Sequence, residues 1–395
     1  MQRANLTEAI RKRLERLPPP HDAHYGVVPP PPPEGPVSVR AADGGHGLAM
    51  KAIQKADRIA ASLPDHFALS RILVRQEAVN SSSMEGTYST LDAVLEAEEG
   101  DEDVDDATTQ VRGYAIALED SMRDISENGR NAFTLPFIQR LHVNLMTGDK
   151  DYKDAPGELR KRVVWIGGGK NMANSDFNPP PPSRVPQCMD EQVAYLRTDG
   201  MQPFQQSIIL RLAIAHSHFE AVHPFRDGNG RVGRLLIPLM MAADGHAPLY
   251  LAPYIHINKP RYIDGLKAAQ QRLDYAPLVN LLSDAIIATV RESEVSMSAL
   301  ERLIPIWTKR RKLRAGSAAQ KALFLLVGYP VVTAARLAQE LGITFAAANR
   351  GIAQLEEAQI LTKLKGRTRS RVFVARDVLR IYNRTFGDEP ILPDK

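Results

Sequence analysis

The pattern of apolar and polar positions divides the chain into a proline-rich start, a long helical middle and a smaller mixed unit. Between about residues 46 and 295, apolar residues recur at intervals of three and four, as expected for helices with one buried face. Within residues 206–222 these intervals place one apolar stripe on a helix, formed by Ile208, Leu212, Ala215, Phe219 and Val222. The pattern predicts a mainly α-helical protein.

Two segments depart from this helical pattern. Residues 16–37 carry two proline runs, which exclude helix and central strand and predict an extended arm or linker within an N-terminal segment spanning 1–60. Residues 157–170 hold a β-branched and aromatic run that ends in three glycines, followed by a second proline-rich loop. This composition predicts a short β-hairpin inside a helical core that spans 61–295.

The unit at 296–395 shows a different pattern. Two helical segments flank a turn at Gly342, and an alternating basic stretch after them predicts two strands that turn at Gly366. This order is typical of a winged helix-turn-helix. The wing carries basic side chains that could bind nucleic-acid phosphates, namely Lys363, Lys365, Arg367, Arg369 and Arg371.

Composition and charge restrict the class of protein. The chain has 395 residues, 44% of them hydrophobic, and a net charge of +4. No apolar run approaches the ~18–20 residues of a membrane span, and the charged start does not resemble a signal peptide, so we expect a cytoplasmic protein without membrane contact. The single cysteine, Cys188, excludes an internal disulfide and multi-cysteine zinc sites, and we expect an inert thiol there.

Residues 223–234 read HPFRDGNGRVGR and concentrate polar chemistry around three glycines. The glycines satisfy the spacing of a dinucleotide-binding fingerprint, but a long helical stripe precedes them where that fold requires a strand. The chain also lacks the spacing of a P-loop. What remains is a helix, a glycine turn and a second helix.

This arrangement suits a magnesium nucleotide. Backbone N–H groups of a glycine turn at a helix N-terminus bind phosphate, and Arg231 and Arg234 lie on one helical face within reach of the same polyphosphate. Asp227, just before the turn, can hold Mg²⁺, and His223 can approach from the preceding helix as a general base. We therefore expect a site that binds a nucleotide and deprotonates a group that attacks it.

The motif resembles the signature His-x-Phe-x-(Asp/Glu)-Gly-Asn-Gly-Arg-x-x-Arg of Fic-domain proteins and matches it at every defined position. The resemblance implies a Fic helical bundle that transfers AMP from ATP to Tyr, Thr or Ser hydroxyls of target proteins and of the chain itself, with His223 as base and Asp227 as Mg²⁺ ligand. It assigns nucleotide binding to Gly228, Asn229, Gly230, Arg231, Gly233 and Arg234. Gly230 replaces the lysine of related Doc kinases, which favours AMP transfer over phosphate transfer.

Residues 81–86, SSSMEG, resemble the inhibitory motif (Ser/Thr)-x-x-x-Glu-(Gly/Asn) of the same proteins, through Ser81, Glu85 and Gly86. The motif lies at the end of a helix expected at about 69–86. In the family the glutamate pairs with the second arginine, here Arg234, and obstructs seating of the γ-phosphate. The resemblance therefore implies an autoinhibited, class II type enzyme.

The segment 157–170 resembles the family's flap, against which an extended target segment adds as a strand. Target docking is thereby assigned to Val163, Val164, Trp165 and Ile166. Outside the motif, we assign His216 and His218 to packing, since residues two apart on a helix do not face each other. Tyr262 is a candidate for an adenine contact.

Two other functions stay open at this stage. One is a DNA-binding regulator whose core senses nucleotide; its recognition helix offers only Asn349 and Arg350 to bases, so weak DNA binding, homodimer formation and target choice all stay open. The other is removal of AMP, with Glu85 positioning water. Intact His223 favours transfer, because a sensor needs no base.

Overall fold

The computed structural model describes residues 1–39, 45–62, 69–100, 104–169, 171–202, 205–364 and 371–394. The helices are α1 (Glu8–Arg11), α2 (Gly45–Ser62), α3 (Leu69–Met84), α4 (Leu91–Glu98), α5 (Asp106–Asn128), α6 (Leu135–Met146), α7 (Val185–Arg197), α8 (Ile208–Val222), α9 (Asn229–Ala243), α10 (Ala252–Ile257), α11 (Lys259–Arg272), α12 (Ala276–Arg310), α13 (Ala318–Gly328), α14 (Ala334–Leu341), α15 (Phe345–Glu357) and α16 (Arg376–Tyr382). The strands are β1 (Leu14–Arg16), β2 (Tyr25–Val27), β3 (Val331–Thr333), β4 (Thr362–Lys363) and β5 (Val372–Val374). The expected mainly α fold is confirmed.

The proline-rich N-terminal arm lies against the helical core. Strands β1 and β2 pair antiparallel, with Leu14 opposite Val27. The Gln206 side-chain amide donates 2.7 Å hydrogen bonds to the backbone carbonyls of Pro33 and Gly35. Prolines supply acceptors but no N–H donors, so this mode of attachment suits the sequence of the arm.

Helix α8 forms the centre of the core. It contacts α7, α9, α11 and α12. Every residue from Ile208 to Val222 is buried as a consequence. The sequence pattern predicted one apolar stripe, and the structure corrects this, because neighbours enclose the helix on all sides and its polar side chains must find buried partners.

The hairpin expected at 157–170 is reduced to a single antiparallel bridge between Ile166 and Phe177. The Ile166 N–H donates to the Phe177 carbonyl at 2.9 Å. If this register continued, the prolines at 179–182 would stand opposite residues 161–164, and proline has no N–H with which to extend the ladder. The segment before Ile166 is therefore irregular.

The C-terminal unit shares helices with the rest of the chain. Helix α12 continues from the main core into a second hydrophobic cluster, and Ile72, Leu91 and Leu95 from α3 and α4 pack into that same cluster. The expected helix, turn and helix are α14, Gly342 with φ +61°, and α15. Strands β4 and β5 follow in a sheet of order β3-β5-β4.

Some expectations for the wing lie outside the described residues, namely the turn at Gly366 and the side chains of Lys365, Arg367 and Arg369. Over the described ranges, the helices are all too short or too polar to span a lipid bilayer.

Candidate active site

The loop between α8 and α9 is held in one shape by its own side chains. His223 ends α8 with φ +49°, and Gly228 precedes α9 with φ +76°. The Asn229 amide accepts from the Phe225 N–H and donates to the Phe225 carbonyl, both at 2.9 Å. Phe225 is fully buried. The Asn229 side chain therefore shapes the loop, and only its backbone N–H is left to face an anion.

The N-terminus of α9 offers a set of backbone donors. The first intrahelical bond runs from the Val232 N–H to the Gly228 carbonyl at 3.0 Å. The N–H groups of Asn229, Gly230 and Arg231 precede it and have no helical acceptor. Such a terminus, with the positive end of the helix dipole, binds anions.

Arg231 adds a buried cation beside these donors. Its side chain lies 3.5 Å from Gln110 Oε1 and 3.4 Å from Met146 Sδ. Its Nε is buried without a hydrogen-bond partner, and in the described part of the chain no carboxylate forms an ion pair with it. A buried guanidinium in this condition suits a phosphate ligand.

Glu85 occupies the position in front of Arg234. Glu85 Oε1 accepts from Arg234 Nη2 at 2.7 Å, while Arg234 Nε and Nη2 also donate to the side chain and backbone of Ser81 at 2.8 and 2.9 Å. A Cβ placed on Gly230 would collide with Glu85 Oε1. Ser81, Glu85, Gly230 and Arg234, assigned from separate motifs, thus meet at one point.

The ion pair uses one carboxylate oxygen, so it is not the bidentate pairing of a fork with a carboxylate. The hydroxyl and the carbonyl of Ser81 accept the other hydrogen bonds from Arg234 Nε and Nη2. Burial acts to raise the pKa of Glu85, but the attraction of Arg234 outweighs it and holds the pKa below its usual range. Glu85 is therefore charged at neutral pH. Gly86, with φ +88°, ends the turn after α3.

His223 lies at the edge of this site as a neutral imidazole. Its Nδ1 is 3.9 Å from Glu220 Oε2 and has no hydrogen-bond partner within the described ranges. Burial lowers the pKa of His223 to about 4, and the positive charge of Arg160 acts in the same direction. A neutral imidazole can accept a proton at physiological pH.

Arg160, which the sequence reasoning missed, joins the segment 157–170 to the loop 223–234. Its Nε donates to the His223 carbonyl at 2.7 Å, and its Nη2 donates to the Pro180 and Val222 carbonyls at 2.7 and 3.2 Å. Its Nη1 donates to the Arg162 carbonyl at 3.1 Å. A buried guanidinium that binds only carbonyls fixes backbone geometry, and no sequence spacing marks it.

His142 is a second residue that sequence reasoning missed. Its Nδ1 accepts from the Gly157 N–H at 2.8 Å, so Nε2 carries the proton and donates to the Asp227 carbonyl at 3.1 Å. Its ring stacks on Phe225 with centroids 3.9 Å apart. Burial lowers its pKa to about 4, which keeps this neutral tautomer. A single histidine on an amphipathic helix gave no signal of this contact.

A buried polar layer supports the loop from below. His216 donates from Nδ1 to the Gly233 carbonyl at 3.1 Å and accepts from the Tyr262 hydroxyl at 2.8 Å. His218 donates to Gln192 Oε1 at 2.7 Å. Tyr262, the candidate for an adenine contact, is only 4% exposed in this layer. Gly233 allows α8 and α9 to pack closely at this point, since a Cβ there would lie 2.6 Å from Glu220 Oε1.

Asp227 fits the chemistry of a magnesium ligand. It is exposed at the loop surface, and its Oδ1 accepts from the Gly228 N–H at 2.6 Å. Mg²⁺ commonly takes one or two carboxylates and completes its shell with phosphate oxygens and water. Within the described ranges, no group of three or more His, Cys, Asp or Glu side chains could hold a metal by itself.

Two regions of the chain match family models. Residues 46–123 match the model for the Fic/DOC family N-terminal region, and residues 132–241 match the Fic/DOC family model. The first region contains Glu85 and the second contains the loop 223–234. These two regions are therefore similar to a Fic domain and to the N-terminal region that accompanies it.

Similar proteins carry names of one activity. The chain is 33% identical over 118 residues to the probable protein adenylyltransferase of Aquifex aeolicus, covering 30% of this chain and 32% of that protein. It is 25% identical over 259 residues to protein adenylyltransferase Fic of Aedes aegypti, covering 64% and 49%. It is 36% identical over 145 residues to protein adenylyltransferase fic-1 of Caenorhabditis briggsae, covering 36% and 26%. The matches thus span about a quarter to a half of these relatives.

Solved structures share the fold. A Fic family protein from Desulfovibrio desulfuricans has a TM-score of 0.53 and 20% identity, covering 87% of this chain and 98% of that chain. A Fic domain containing signaling protein from Bacteroides thetaiotaomicron has a TM-score of 0.51 and 20% identity, covering 63% and 95%. These likenesses support the Fic-type helical core at the level of fold.

Proposed function

We propose that the chain is a protein adenylyltransferase that moves AMP from ATP to Tyr, Thr or Ser hydroxyls of target proteins and of itself. The observation that carries this proposal is that the Glu85 carboxylate lies against Arg234 and Gly230 at the N-terminus of α9. An anionic side chain thus lies where the motif is expected to bind phosphate. The neutral base His223 completes the set of groups.

In the proposed reaction, His223 takes the proton of the target hydroxyl. The hydroxyl oxygen then forms a bond to the α-phosphorus of ATP, the bond from that phosphorus to the bridging oxygen breaks, and pyrophosphate leaves. The backbone donors of Asn229, Gly230 and Arg231, with the Arg231 guanidinium, bind the phosphate oxygens. Positioning and charge neutralisation supply most of the rate enhancement in phosphoryl-type transfer.

Asp227 is the residue that would hold Mg²⁺. The ion supplies charge neutralisation for the phosphates when it is bound. The other carboxylates near the loop are already engaged or buried: Glu85 pairs with Arg234, and Glu220 lies beneath the loop.

Glu85 acts as an inhibitor in this proposal. While it pairs with Arg234, the γ-phosphate cannot use the same guanidinium, so ATP sits unproductively. Ser81 supports the inhibited arrangement by holding Arg234 in place. The alternative of AMP removal, with Glu85 positioning water, has no separate observation in its favour.

The flap is proposed to receive the target. In the described chain, no hydrogen bond engages the backbone of residues 163–165, although Trp165 Nε1 donates to the Gly169 carbonyl at 2.9 Å. An extended target segment can pair with such a free edge and bring a hydroxyl to His223. Arg160 fixes the spacing between this edge and the base.

The C-terminal unit is proposed to be a winged helix that serves protein contacts more than DNA. The exposed face of α15 carries Phe345, which is 60% exposed, and the Asn349 amide is bonded to the Phe345 carbonyl. Neither feature suits the reading of base edges, which requires free polar side chains. Target choice and homodimer formation are the roles that this face supports.

The test is intact-protein mass after incubation with Mg-ATP. We expect Glu85→Gly to gain one or more AMP units, the wild type to gain few, and Glu85→Gly with His223→Ala to gain none. Equal modification of the double variant would remove His223 as the base. Modification of none of the three, combined with tight duplex DNA binding by the full chain, would favour the regulator instead.

A further inference from the structure

Helix α3 connects the inhibitory contact to the C-terminal unit. Its last turns place Ser81 against Arg234, while Ile72 near its start is fully buried in the hydrophobic cluster of the C-terminal unit. On the same side of α3 as Ile72, Gln76 Nε2 donates to the Tyr382 carbonyl of α16 at 2.7 Å. A change beside Gln76 therefore acts on the same helix that carries Ser81.

A cavity of about 600 Å³ opens beside Gln76, between α3, α4, α10, α12 and α16. Small-molecule sites commonly have volumes of about 300–1,000 Å³. The walls include aromatic and apolar side chains from several elements, among them Leu73, Val79, Tyr250, Tyr382 and Phe386. The Phe386 ring meets Tyr254 edge to face, with centroids 6.0 Å apart, which fixes one wall.

The charges of the cavity exclude an anionic ligand. Its one arginine, Arg384, donates to the Ile381 and Asp388 carbonyls and to Glu292, so each guanidinium nitrogen is engaged. Asp92 accepts from the Asn383 amide at 2.6 Å and has no ion pair within the described ranges. Among the described residues that line the cavity, Asp92 is therefore a carboxylate without an ion pair, and the one arginine is paired.

A buried hydroxyl in the cavity wall also lacks a partner. Thr289 on α12 is 8% exposed, lines the cavity, and its Oγ1 has no hydrogen-bond partner in the described chain. Buried polar groups are nearly always hydrogen-bonded in folded proteins. This hydroxyl oxygen lies behind the wall of the cavity, where a ligand does not reach it.

We propose that this cavity binds a small amine with an aromatic body, and that its occupation stabilises the arrangement in which Glu85 inhibits the site. The amine would pair with Asp92 and its ring would pack among the aromatic side chains. Helix α3 both lines the cavity and holds Ser81 against Arg234, so a ligand that fixes α3 in this position would favour the inhibited arrangement. The regulatory part rests on the proposed function, whereas the binding part does not.

Binding is tested by titration calorimetry on the full chain without ATP, with tryptamine as the probe. We expect saturable binding of tryptamine and at least about tenfold weaker binding of indole-3-acetate, which has the same ring and the opposite charge. Ser293→Trp fills the cavity from α12 and is expected to abolish binding. Glu301→Trp, which adds an indole at an exposed position on the same helix, is expected to retain it. Absence of tryptamine binding, or equal binding by Ser293→Trp, would overturn the site.

The coupling is tested through Mg-ATP affinity, which needs no turnover. We expect saturating tryptamine to weaken Mg-ATP binding to the wild type at least about threefold, with the reciprocal effect of ATP on tryptamine. Glu85→Gly should bind tryptamine as tightly as wild type but lose this coupling. Equal weakening in both proteins would show direct competition and overturn the regulatory role. Failure of AMP transfer would leave both binding results intact.

Discussion

Glu85 Oε1 lies 2.7 Å from Arg234 Nη2, directly in front of Gly230 and the free backbone donors of α9. The carboxylate is 38% exposed, whereas the arginine side chain is almost completely buried. Because Arg234 holds the pKa of Glu85 below its usual range, the pair is fully formed at neutral pH and is lost only as pH falls through that lowered pKa. An anionic ligand must therefore displace a charged competitor.

Replacement of Glu85 by Gln removes the charge that competes with phosphate for Arg234. Since a charge-assisted hydrogen bond contributes about 1.5–3 kcal/mol, Mg-ATP binding is expected to tighten about tenfold. The affinity is measured by calorimetry with His223→Ala in both proteins, which prevents turnover. Glu127→Gln, the same change at an exposed position of α5, should leave the affinity unchanged. Unchanged affinity in Glu85→Gln would show that Glu85 does not compete with nucleotide.

The pH dependence of AMP transfer should follow the low pKa of His223. Burial and Arg160 lower this pKa to about 4, so the base stays neutral down to that range and the acid limb of the rate is expected near pH 4. Initial rates are measured in Glu85→Gly, with circular dichroism at each pH to confirm the folded state. A limb near the ordinary histidine pKa of about 6.5 would contradict the environment described for His223.

The loop 223–234 could be interpreted from the sequence as an anion-binding turn because it depends on local chemistry, whereas residues 81–86 were singled out only through the resemblance. Glycine spacing fixes the turn, and two arginines three residues apart share a helix face. The meeting of Glu85 with Gly230 follows from the packing of α3 against α9, which no local pattern reports. Only the resemblance to Fic-domain proteins linked the two segments in advance.

Other features could not be predicted because they depend on long-range backbone contacts. Arg160 binds carbonyls from three separate segments, and His142 links Gly157 to Asp227. The β-branched residues of the flap predicted a hairpin. In the register of the Ile166–Phe177 bridge, the positions that would pair with them are prolines, and the sequence alone did not reveal this register. The all-round burial of α8 likewise reflects neighbours and not its own periodicity.

The Glu220 carboxyl is expected to be neutral at physiological pH. Burial raises its pKa to about 8 against the opposing attraction of Arg234, and its Oε1 has no hydrogen-bond partner in the described ranges. The folded state then holds a proton that the unfolded state releases above its pKa of about 4.3. The free energy of unfolding should fall with rising pH between these two values, by up to about 1.4 kcal/mol per pH unit, and level off above the folded-state pKa.

Glu220→Gln should remove this contribution to the pH dependence. Urea unfolding at about pH 5.5 and about pH 7.5 is expected to show wild type losing about 2 kcal/mol relative to the variant across that interval. Glu301→Gln, at an exposed position, should follow wild type. Parallel curves for wild type and Glu220→Gln would mean that Glu220 is ionised in the folded protein.

Arg160 is expected to act as a positioning residue for the base His223. Lysine at this position keeps the charge but cannot reach the four carbonyls that the guanidinium binds, so Arg160→Lys should destabilise the fold by about 2–3 kcal/mol. With Glu85→Gly in both proteins, kcat should fall at least about tenfold, since misplacement of a base slows only the chemical step. The KM for ATP should change little, because the donors of α9 do not contact Arg160.

Two further variants separate position from charge. Arg160→Met removes a positive charge that lowers the pKa of His223, so the acid limb of its rate profile should move to higher pH, whereas Arg160→Lys should keep the limb in place. Arg162→Lys, at an exposed neighbouring position, controls for the substitution itself and should match the parent enzyme. An Arg160→Lys enzyme that remains folded with unchanged kcat would show that the contact between Arg160 and the His223 carbonyl has no part in placing the base.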